Sequence, residues 1–413
     1  MFERIVITGL GVVSAAGVGT AALLKVLRDG QSCTRGLEMF DTTGLACRFG
    51  ASTNAFEPRD FLRAREIKRL DRSAQFFVVA GQMALTDSAL FEKPIDPTRV
   101  GVFEGTSLGG LSKTLAEHEA LLTRGMHFVN PHLLSAAMTG AGGSMLSLLH
   151  RLQGPVMALS NGSISSACAV AVGMEQLRLH EIDAAIVGGG EAPLSYPVMA
   201  LFCRAGLLSA HNETPETACR PFDANRDGVV LGEGGAAMIL ERLESAQRRD
   251  AKIYGEVLST AFTSDAHSFV APAPDAVLQT QAVQLALAKA HVTPAELDGV
   301  ATHGTSTPLN DRTETLALKK VLGARAYKIP ISAVKSMLGH TLGACTVIEM
   351  VAMLIAMQQQ FIPPTINLTT PDPECDLDYV KHTARLQPVN LMLFKNASFG
   401  GKNSAILLRH WQA

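Results

Sequence analysis

A strand, a tight turn and a helix follow one another closely within residues 154–191. Residues 156–159 are a short apolar run typical of a strand, Ser-Asn-Gly at 160–162 is typical of a turn, and residues 164–179 have the apolar spacing of a helix. In such an elbow the residue just after the turn lies at the helix N-terminus, beside unpaired backbone N–H groups and the positive end of the helix dipole. That residue is Ser163.

Two other interpretations of the elbow stay open from these residues alone. A serine that follows Asn-Gly is most often a helix N-cap, whose hydroxyl accepts a hydrogen bond from the backbone. Cys168 is the stronger intrinsic nucleophile, but the pattern places it more than a turn inside the helix, where a thiol is usually buried and unreactive. Taken by itself, the elbow favours a cap over a catalytic serine.

The other apolar patterns indicate a layered α/β fold. Short runs typical of strands recur along all 413 residues with helices between them, and many of them end in glycine-rich turns. Hydrophobic residues make up 47% of the chain, which is enough for a well-buried core, and the recurrence in both halves suggests a duplication. The apolar stretch at 341–360 carries Glu349 and predicts a buried core helix rather than a membrane span.

Charge, cysteines and motifs argue against several classes of function. A net charge of −2 without an extended basic face argues against nucleic-acid binding. Seven cysteines without a paired Cys-x-x-Cys indicate a reducing compartment, and no signal peptide precedes the first strand, so we expect a cytoplasmic protein. After Gly-Leu-Gly at 9–11 the third glycine of a dinucleotide-binding motif is misplaced, and no acidic residue ends a following strand at the right distance, which makes a nucleotide-dependent oxidoreductase remote.

Two histidines each follow a predicted strand within a glycine-containing turn. His303 comes directly after the strand at 299–302, and His340 follows the strand at 331–334 and Lys335. Because α/β proteins bind ligands at the carboxyl ends of their strands, the pair indicates a functional site. Neither histidine has a second ligand three or four residues away, so we predict no metal site. The glycine-bearing loop at 396–403 is a candidate to donate backbone N–H groups to an oxyanion.

Six ordered motifs carry a resemblance to a known family. They are VITGLG at 6–11, RPFDANRDGVVLGEG at 220–234, HGTSTP at 303–308 with Asp311 and Glu314, KSMLGH at 335–340, PPTINL at 363–368 and FGG at 399–401. Over essentially its whole length the chain resembles the β-ketoacyl-acyl-carrier-protein synthases. The resemblance is closest to the elongating synthases of type II fatty-acid synthesis and to the ketosynthase subunits of type II polyketide synthases.

The resemblance implies a duplicated thiolase-like α/β fold, layered α-β-α-β-α with two mixed sheets. It implies an N-terminal half at 1–250 that carries the nucleophile elbow and a C-terminal half at 251–413 that carries the catalytic histidines. In that family a cysteine at the elbow takes the acyl chain as a thioester, two histidines assist decarboxylation of malonyl-carrier protein, and a lysine supports one histidine. Motif matching assigns the catalytic positions to Ser163, His303, His340 and Lys335.

The resemblance also assigns a gate and an oxyanion hole. The N–H groups of residues 163 and 399 would bind the oxyanion, and Phe399 beside Gly400 resembles the family's gating phenylalanine. Ser398 stands where a glycine is usual and Lys402 where a threonine is common, which puts the flexibility of the gate in doubt.

Acyl-pocket and pantetheine positions are implied in the same way. Leu108 and Phe202 match acyl-pocket positions, and the partner subunit's segment around Met138 would close the pocket floor. Val270 replaces a threonine that is often found near the pantetheine arm, which removes one hydrogen bond. The positions assigned to that arm are Thr305, Thr307 and Val270.

A cluster of five cations lies within residues 60–72. From the residues alone it is either a solvated helix face or a docking patch for an acidic partner. The resemblance favours docking, because Arg65, Lys68 and Arg69 match the patch by which the family binds its carrier protein.

The implied activity is extension of an acyl chain by decarboxylative Claisen condensation with malonyl-acyl carrier protein. The substrates would be attached to the carrier's phosphopantetheine, and no cofactor would be bound to the chain. The chain would form a homodimer, or a heterodimer with a chain-length-factor-like paralogue. A serine hydroxyl needs a general base and leaves a less reactive oxyester, so we expect Ser163 to condense poorly.

Two explanations of Ser163 remain open. One is a Cys-to-Ser replacement made in an active synthase, and the other is a natural loss of the kind found in noncatalytic chain-length-factor subunits. Such subunits commonly lose the catalytic histidines as well, so the retention of His303, Lys335 and His340 favours the first.

Overall fold

The apolar segment Ile5–Ser14 forms the central strand of the protein, β1, and all ten of its residues are buried. A strand buried in this way needs hydrogen-bonding neighbours, because its backbone N–H and C=O groups have no water to pair with. β1 pairs antiparallel with β8 (Gly234–Arg242) along most of its length, and its first residues also pair antiparallel with β9 (Gly255–Ser264). The computed structural model describes residues 3–412.

These residues form one mixed sheet of eleven strands and two separate short pairs. Ten strands lie side by side, in the order β11 (Ile331–Ser332), β10 (Gly299–Thr302), β14 (Leu391–Ser398), β15 (Lys402–His410), β9, β1, β8, β7 (Ala184–Glu191), β5 (Val100–Gly105) and β6 (Val156–Leu159). The eleventh strand, β2 (Gly17–Val18), pairs with β1 outside that row. The two short pairs are β3 (Arg35–Gly36) with β4 (Phe49–Gly50), and β12 (Phe361–Ile362) with β13 (Arg385–Leu386).

The thiolase-like α/β fold predicted from the sequence is confirmed, with one difference in how its sheets connect. The resemblance implies two mixed sheets, whereas residues 5–7 of β1 pair with residues 255–257 of β9 and join two five-stranded parts into one. That junction covers three residue pairs, because β1 pairs with β8 along most of its length and meets β9 only at its first residues.

The helices cover both parts of the sheet and also lie between them. In chain order they are α1 (Thr20–Asp29), α2 (Ala64–Arg69), α3 (Arg72–Ser88), α4 (Leu111–Arg124), α5 (Leu133–Ala137), α6 (Ala141–His150), α7 (Ser165–Arg178), α8 (Tyr196–Arg204), α9 (Leu243–Arg248), α10 (Val277–Ala290), α11 (Pro308–Leu322), α12 (Lys335–Leu338) and α13 (Cys345–Gln358). α3 packs on the outer face of β1, β7 and β8, and α10 packs on β9 and β15.

The middle layer consists of α7 and α13, which contact each other. α7 packs on β5 and β7, while α13 touches β1 and β8 in one part of the sheet and β14 and β15 in the other. Residues 345–357 of α13 are all buried, as expected for the core helix predicted at 341–360, although a short 3₁₀ turn at Leu342–Ala344 precedes the α-helix. No helix within residues 3–412 is long and apolar enough to cross a membrane.

The cation-rich segment at 60–72 is not one continuous helix. A 3₁₀ turn at Pro58–Asp60 comes first, α2 follows, and α3 begins only at Arg72. The break occurs because Asp71 caps α3, accepting a hydrogen bond at 2.8 Å from the Ser73 N–H. The short α2 therefore stands apart from α3 and presents its cations to solvent.

Three consecutive glycines in β7, Gly188–Gly190, explain one of the glycine-rich strand ends in the sequence. A Cβ on Gly189 would lie 1.9 Å from the Gly105 carbonyl oxygen of the neighbouring strand, and one on Gly190 would lie 2.1 Å from the Ser73 carbonyl oxygen of α3. The backbones approach too closely at these points for any side chain. Glycine here sets the distance between α3 and the sheet.

We predict that Gly190→Ala destabilises the protein by about 1–3 kcal/mol, because the new methyl group can be accommodated only if α3 moves away from β7. Urea unfolding followed by far-UV circular dichroism measures the change. Gly36→Ala is the matched control, since a Cβ at that position meets nothing within 4 Å. Equal midpoints for the two variants would show that α3 does not press on this strand.

Candidate active site

The elbow after β6 directs the Ser163 side chain towards a histidine. Gly162 adopts a φ of +62°, which turns the chain sharply, and Ile164 is the residue that caps α7. Ser163 Oγ lies 3.0 Å from Nε2 of His340, from the other half of the chain. The N-cap interpretation of Ser163 is therefore wrong, because its hydroxyl does not cap the helix.

Cys168 lies at the fourth residue of α7, about one turn into the helix rather than deeper. Its sulfur accepts a hydrogen bond from the Asn161 amide at 3.3 Å, and burial raises the pKa of the thiol. Cys168 does not line the cavity on which Ser163 opens. A thiol that is hard to ionise and turned away from the cavity is a poor nucleophile.

His303 and His340 face each other across the site. His303 follows β10 and His340 follows α12 and Gly339, and their ring centroids lie 5.2 Å apart with the planes at 89°. Both side chains are buried. Burial, reinforced by the positive charge of Lys335, holds the pKa of each imidazole well below its usual range. Both rings are therefore neutral near pH 7.

A buried ion pair stands behind the histidines. The Lys335 ammonium contacts the Glu349 carboxylate of α13, and both side chains are about 2–3% exposed. Burial acts to lower the pKa of Lys335, but the neighbouring Cys345 and Glu349 raise it above its usual value, so the ammonium stays charged. Lys335 does not line the cavity and acts on the site through its neighbours.

Asn396 of β14 connects this ion pair to His303. Its side-chain amide donates a hydrogen bond to Glu349 Oε2 at 2.8 Å, and its nitrogen also lies 3.4 Å from His303 Nδ1. An amide nitrogen is a donor, so His303 Nδ1 accepts and the ring carries its proton on Nε2. The contacts thus fix the tautomer of His303 as well as its orientation.

A second buried carboxylate, Glu314 of α11, holds the backbone around His303. It accepts hydrogen bonds from the His303 and Gly304 N–H groups, each at 2.8 Å. The Lys395 ammonium lies 3.5 Å from Glu314 Oε1. Sequence reasoning noted Glu314 only as part of a motif and Asn396 only as the first residue of a loop, and it did not single out Lys395.

A cavity of about 390 Å³ opens onto these groups. The predicted site residues that line it are Ser163, Phe202, Val270, His303, Thr305, Thr307, His340 and Phe399. Leu108 is half-buried in the loop after β5 and Met138 is 63% exposed on the surface, and neither lines the cavity. Of the three residues predicted for the acyl pocket, it is therefore Phe202 that lines this cavity within one chain.

The loop after β14 forms one wall of the cavity. Phe399 is 44% exposed, and Gly400 and Gly401 both have positive φ angles. The Gly400 N–H donates to the Phe269 carbonyl at 2.6 Å, which ties the loop to the segment before Val270. Gly400 itself does not line the cavity.

The predicted docking residues Arg65, Lys68 and Arg69 lie together on α2 and are exposed. Leu62 and Leu70 are buried beneath them. The three cations lie outside the cavity lining, so any role they have concerns the surface. No cluster of three or more His, Cys, Asp or Glu side chains in the described part of the chain is arranged to hold a metal ion.

Comparison with protein families identifies the chain. The model of the β-ketoacyl synthase N-terminal domain matches residues 2–246, and that of the C-terminal domain matches residues 254–369. The chain belongs to the β-ketoacyl synthase family. It is 39% identical to the 3-oxoacyl-[acyl-carrier-protein] synthase 2 of Synechocystis sp., over 99% of both chains.

Two further likenesses concern polyketide proteins. The chain is 38% identical to the tetracenomycin polyketide synthase ketoacyl synthase alpha subunit of Streptomyces glaucescens, over 98% of this chain and 97% of the relative. Its fold matches the solved ishigamide ketosynthase/chain length factor with a TM-score of 0.93 and 31% identity, covering all of both chains. The resemblance read from the motifs is confirmed at the level of the family.

We predict that Glu349→Gln lowers the free energy of unfolding by about 3–5 kcal/mol, because it leaves the Lys335 ammonium buried without a countercharge. Replacing both partners, Lys335→Met with Glu349→Met, should recover most of that loss. Chemical denaturation of the three proteins measures the difference. Glu175→Gln, which removes a partner of Arg178 from a 57% exposed carboxylate, is the control and should change stability by about 0.5 kcal/mol or less.

If Glu349→Gln were as stable as the control, Lys335 would not be charged in the folded protein.

Proposed function

We propose that this chain extends an acyl group by decarboxylative Claisen condensation with malonyl-acyl carrier protein, in fatty-acid or type II polyketide biosynthesis, and that Ser163 limits the reaction. The observation that carries the proposal is the placement of Ser163 Oγ 3.0 Å from His340 Nε2, with His303 facing the same ring in one cavity. The similarity to named fatty-acid and polyketide synthases supports both pathways.

The tautomers of the two histidines suit decarboxylation. His340 Nδ1 is buried without a hydrogen-bond partner among residues 3–412, so a proton there would be an unsatisfied donor. We therefore assign the proton of His340 to Nε2, as Asn396 does for His303. Two neutral rings then present N–H donors to the cavity.

These donors stabilise the charge that develops when malonyl-carrier protein loses carbon dioxide. The C–C bond to the carboxylate breaks, its electron pair forms a thioester enolate, and the enolate oxygen accepts hydrogen bonds from His303 and His340 Nε2–H. The carbanion equivalent then attacks the acyl group held on residue 163 and displaces its oxygen or sulfur. Thr305 and Thr307, whose hydroxyls lie 2.9 Å apart in the cavity lining, would contact the pantetheine arm with Val270.

The same tautomer explains why Ser163 should be acylated slowly. With its proton on Nε2, His340 donates to Ser163 Oγ and cannot remove the serine proton. A cysteine at this position would not need that base, because a thiol ionises near neutral pH and the N-terminus of α7 favours the thiolate. Decarboxylation depends on the histidines, so we expect it to persist with serine at position 163.

The second candidate is a noncatalytic, chain-length-factor-like subunit of a ketosynthase heterodimer. Ser163 itself favours it, as does the structural likeness to a protein named as a ketosynthase/chain length factor. The intact set of His303, His340, Lys335, Glu349 and Asn396 favours the condensing enzyme instead. Measurement of decarboxylation separates the two.

The substrates in this proposal arrive on the phosphopantetheine of acyl carrier protein, and the chain itself binds no cofactor. The exposed cations Arg65, Lys68 and Arg69 on α2 would attract an acidic carrier. All seven cysteines are free thiols, which is in keeping with a cytoplasmic location.

A further surface supports pairing with a second chain. β6 is the edge strand of the sheet, and its apolar Val156 and Met157 are 38% and 41% exposed. Leu134 on α5, Met138 directly after α5 and Leu148 on α6 are 63–86% exposed. An uncovered apolar edge strand is a template for pairing with another strand. We infer that a homodimer or a heterodimer with a paralogue forms through β6.

We predict that Met157→Lys shifts the molar mass in solution from two chains to one, because a buried lysine at the paired edge is disfavoured. Size-exclusion chromatography with light scattering measures it, and Leu386→Lys, at an 81% exposed position away from this edge, is the control. A one-chain mass for the unmodified protein, with pairing only when a cysteine-bearing paralogue is added, would favour the heterodimer.

The central experiment incubates the protein with malonyl-carrier protein and, separately, with an acyl-carrier thioester. We expect conversion of malonyl- to acetyl-carrier protein by the unmodified chain, and a loss of about 10²-fold or more in His303→Ala because one enolate donor is removed. Intact-protein mass spectrometry should show much more acylation of Ser163→Cys than of the unmodified chain, and that acylation should remain when Cys168→Ala is added.

Acylation of the unmodified chain that disappears in Cys168→Ala would contradict the assignment of residue 163. Absence of decarboxylation together with copurification of a cysteine-bearing paralogue would favour the noncatalytic subunit.

A further inference from the structure

Ser398, the last residue of β14, reaches across to the elbow. Its Oγ accepts a hydrogen bond from the Ser163 N–H at 2.8 Å. The hydroxyl also lies tightly against Gly162, where an added Cβ would be 2.1 Å from Ser398 Oγ. Ser163 and Ser398 both line the cavity, so this contact lies inside the site.

The family resemblance assigns the Ser163 N–H a specific task in the proposed reaction. It is one of the two donors assigned to the oxyanion that forms when residue 163 attacks a thioester. Such a donor works only if it lies about 2.7–3.1 Å from the oxyanion. Ser398 Oγ already stands at that distance from the Ser163 nitrogen, so the two oxygens compete for the same N–H.

We propose that Ser398 caps the oxyanion hole and is a positioning residue that slows acyl transfer to residue 163. This inference rests on the proposed function. For the oxyanion to reach the Ser163 N–H, the Ser398 hydroxyl must rotate away and give up its hydrogen bond. The cap therefore opposes the first stage of the reaction independently of whether residue 163 is serine or cysteine.

The opposite possibility is a relay, in which Ser398 Oγ keeps accepting from the Ser163 N–H while its own O–H donates a hydrogen bond to the oxyanion. The covalent geometry disfavours it. The attacked carbonyl carbon becomes bonded to the side chain of residue 163, so its oxygen is held beside the N–H of that same residue and has no room for an intervening hydroxyl. The two possibilities predict rate changes of opposite sign.

The strand that carries Ser398 does not depend on the hydroxyl. Ser398 pairs with Lys402 through the β14–β15 ladder, and removal of one oxygen leaves these backbone bonds in place. Rotation about one side-chain bond is enough to open the site. Opening the site therefore costs roughly the net free energy of one hydrogen bond, so the cap should slow acylation rather than abolish it.

The test uses the full chain with Ser163→Cys, so that acylation is measurable, and compares it with the same protein carrying Ser398→Ala. We expect the maximal acylation rate by an acyl-carrier thioester to rise about tenfold, with KM for the carrier unchanged, because substrate binding does not involve the cap. Ser398→Thr keeps a hydroxyl and should retain the slow rate. Ser160→Ala is the matched control, since that hydroxyl lies at the same elbow but bonds to the Ser107 carbonyl.

An unchanged or slower rate in Ser398→Ala, with Ser163→Cys still acylated, would overturn the cap and leave the assignment of residue 163 standing. Equal acceleration by Ser160→Ala would also overturn it, because a general loosening of the elbow would then be the cause. Absence of acylation in every variant would contradict the proposed function, and the cap with it.

Discussion

The candidate site depends on a pair of opposite charges placed where water does not reach. Lys335 and Glu349 come from α12 and α13, and Asn396 of β14 shares the carboxylate, so one buried contact joins three elements. Neither charge could be buried alone, because the loss of hydration would exceed any packing gain. Burial lowers the pKa of both histidines, and the charge on Lys335 lowers it further, so the rings stay neutral beside a buried ammonium.

Much of the fold and part of the site could be predicted from the sequence, and the limits have physical causes. The elbow and the turns after the strands follow from local patterns, so Ser163, His303 and His340 were found as candidates. The choice between a helix cap and a cavity residue at Ser163 depends on a contact with His340, 177 residues away, which no local pattern contains. Asn396 carries no periodic signal either, because its role is set by the ion pair it meets. The break before α3 was missed since a single capping residue, Asp71, decided it.

The site is better suited to donating hydrogen bonds than to accepting a proton. In the tautomers assigned above both histidines are donors, one because an amide contacts its Nδ1 and the other because its Nδ1 has no partner among residues 3–412. Such a site can stabilise negative charge on a substrate oxygen but offers little basicity to a neighbouring hydroxyl. A thiol needs no such help, so the arrangement suits a cysteine at the elbow far better than the serine that occupies it.

The path of α13 has a consequence for how the molecule holds together. The helix comes from the second half of the chain, yet it packs on β1 and β8 of the first half as well as on β14 and β15 of its own. A fragment ending near residue 250 would keep α7 but would expose the parts of β1 and β8 that α13 covers, and the remaining fragment would carry an apolar helix with one face uncovered. The two halves of the chain are therefore not autonomous domains. They should unfold and refold as a single cooperative unit. Amide protons in α13 should then exchange only when the entire molecule unfolds.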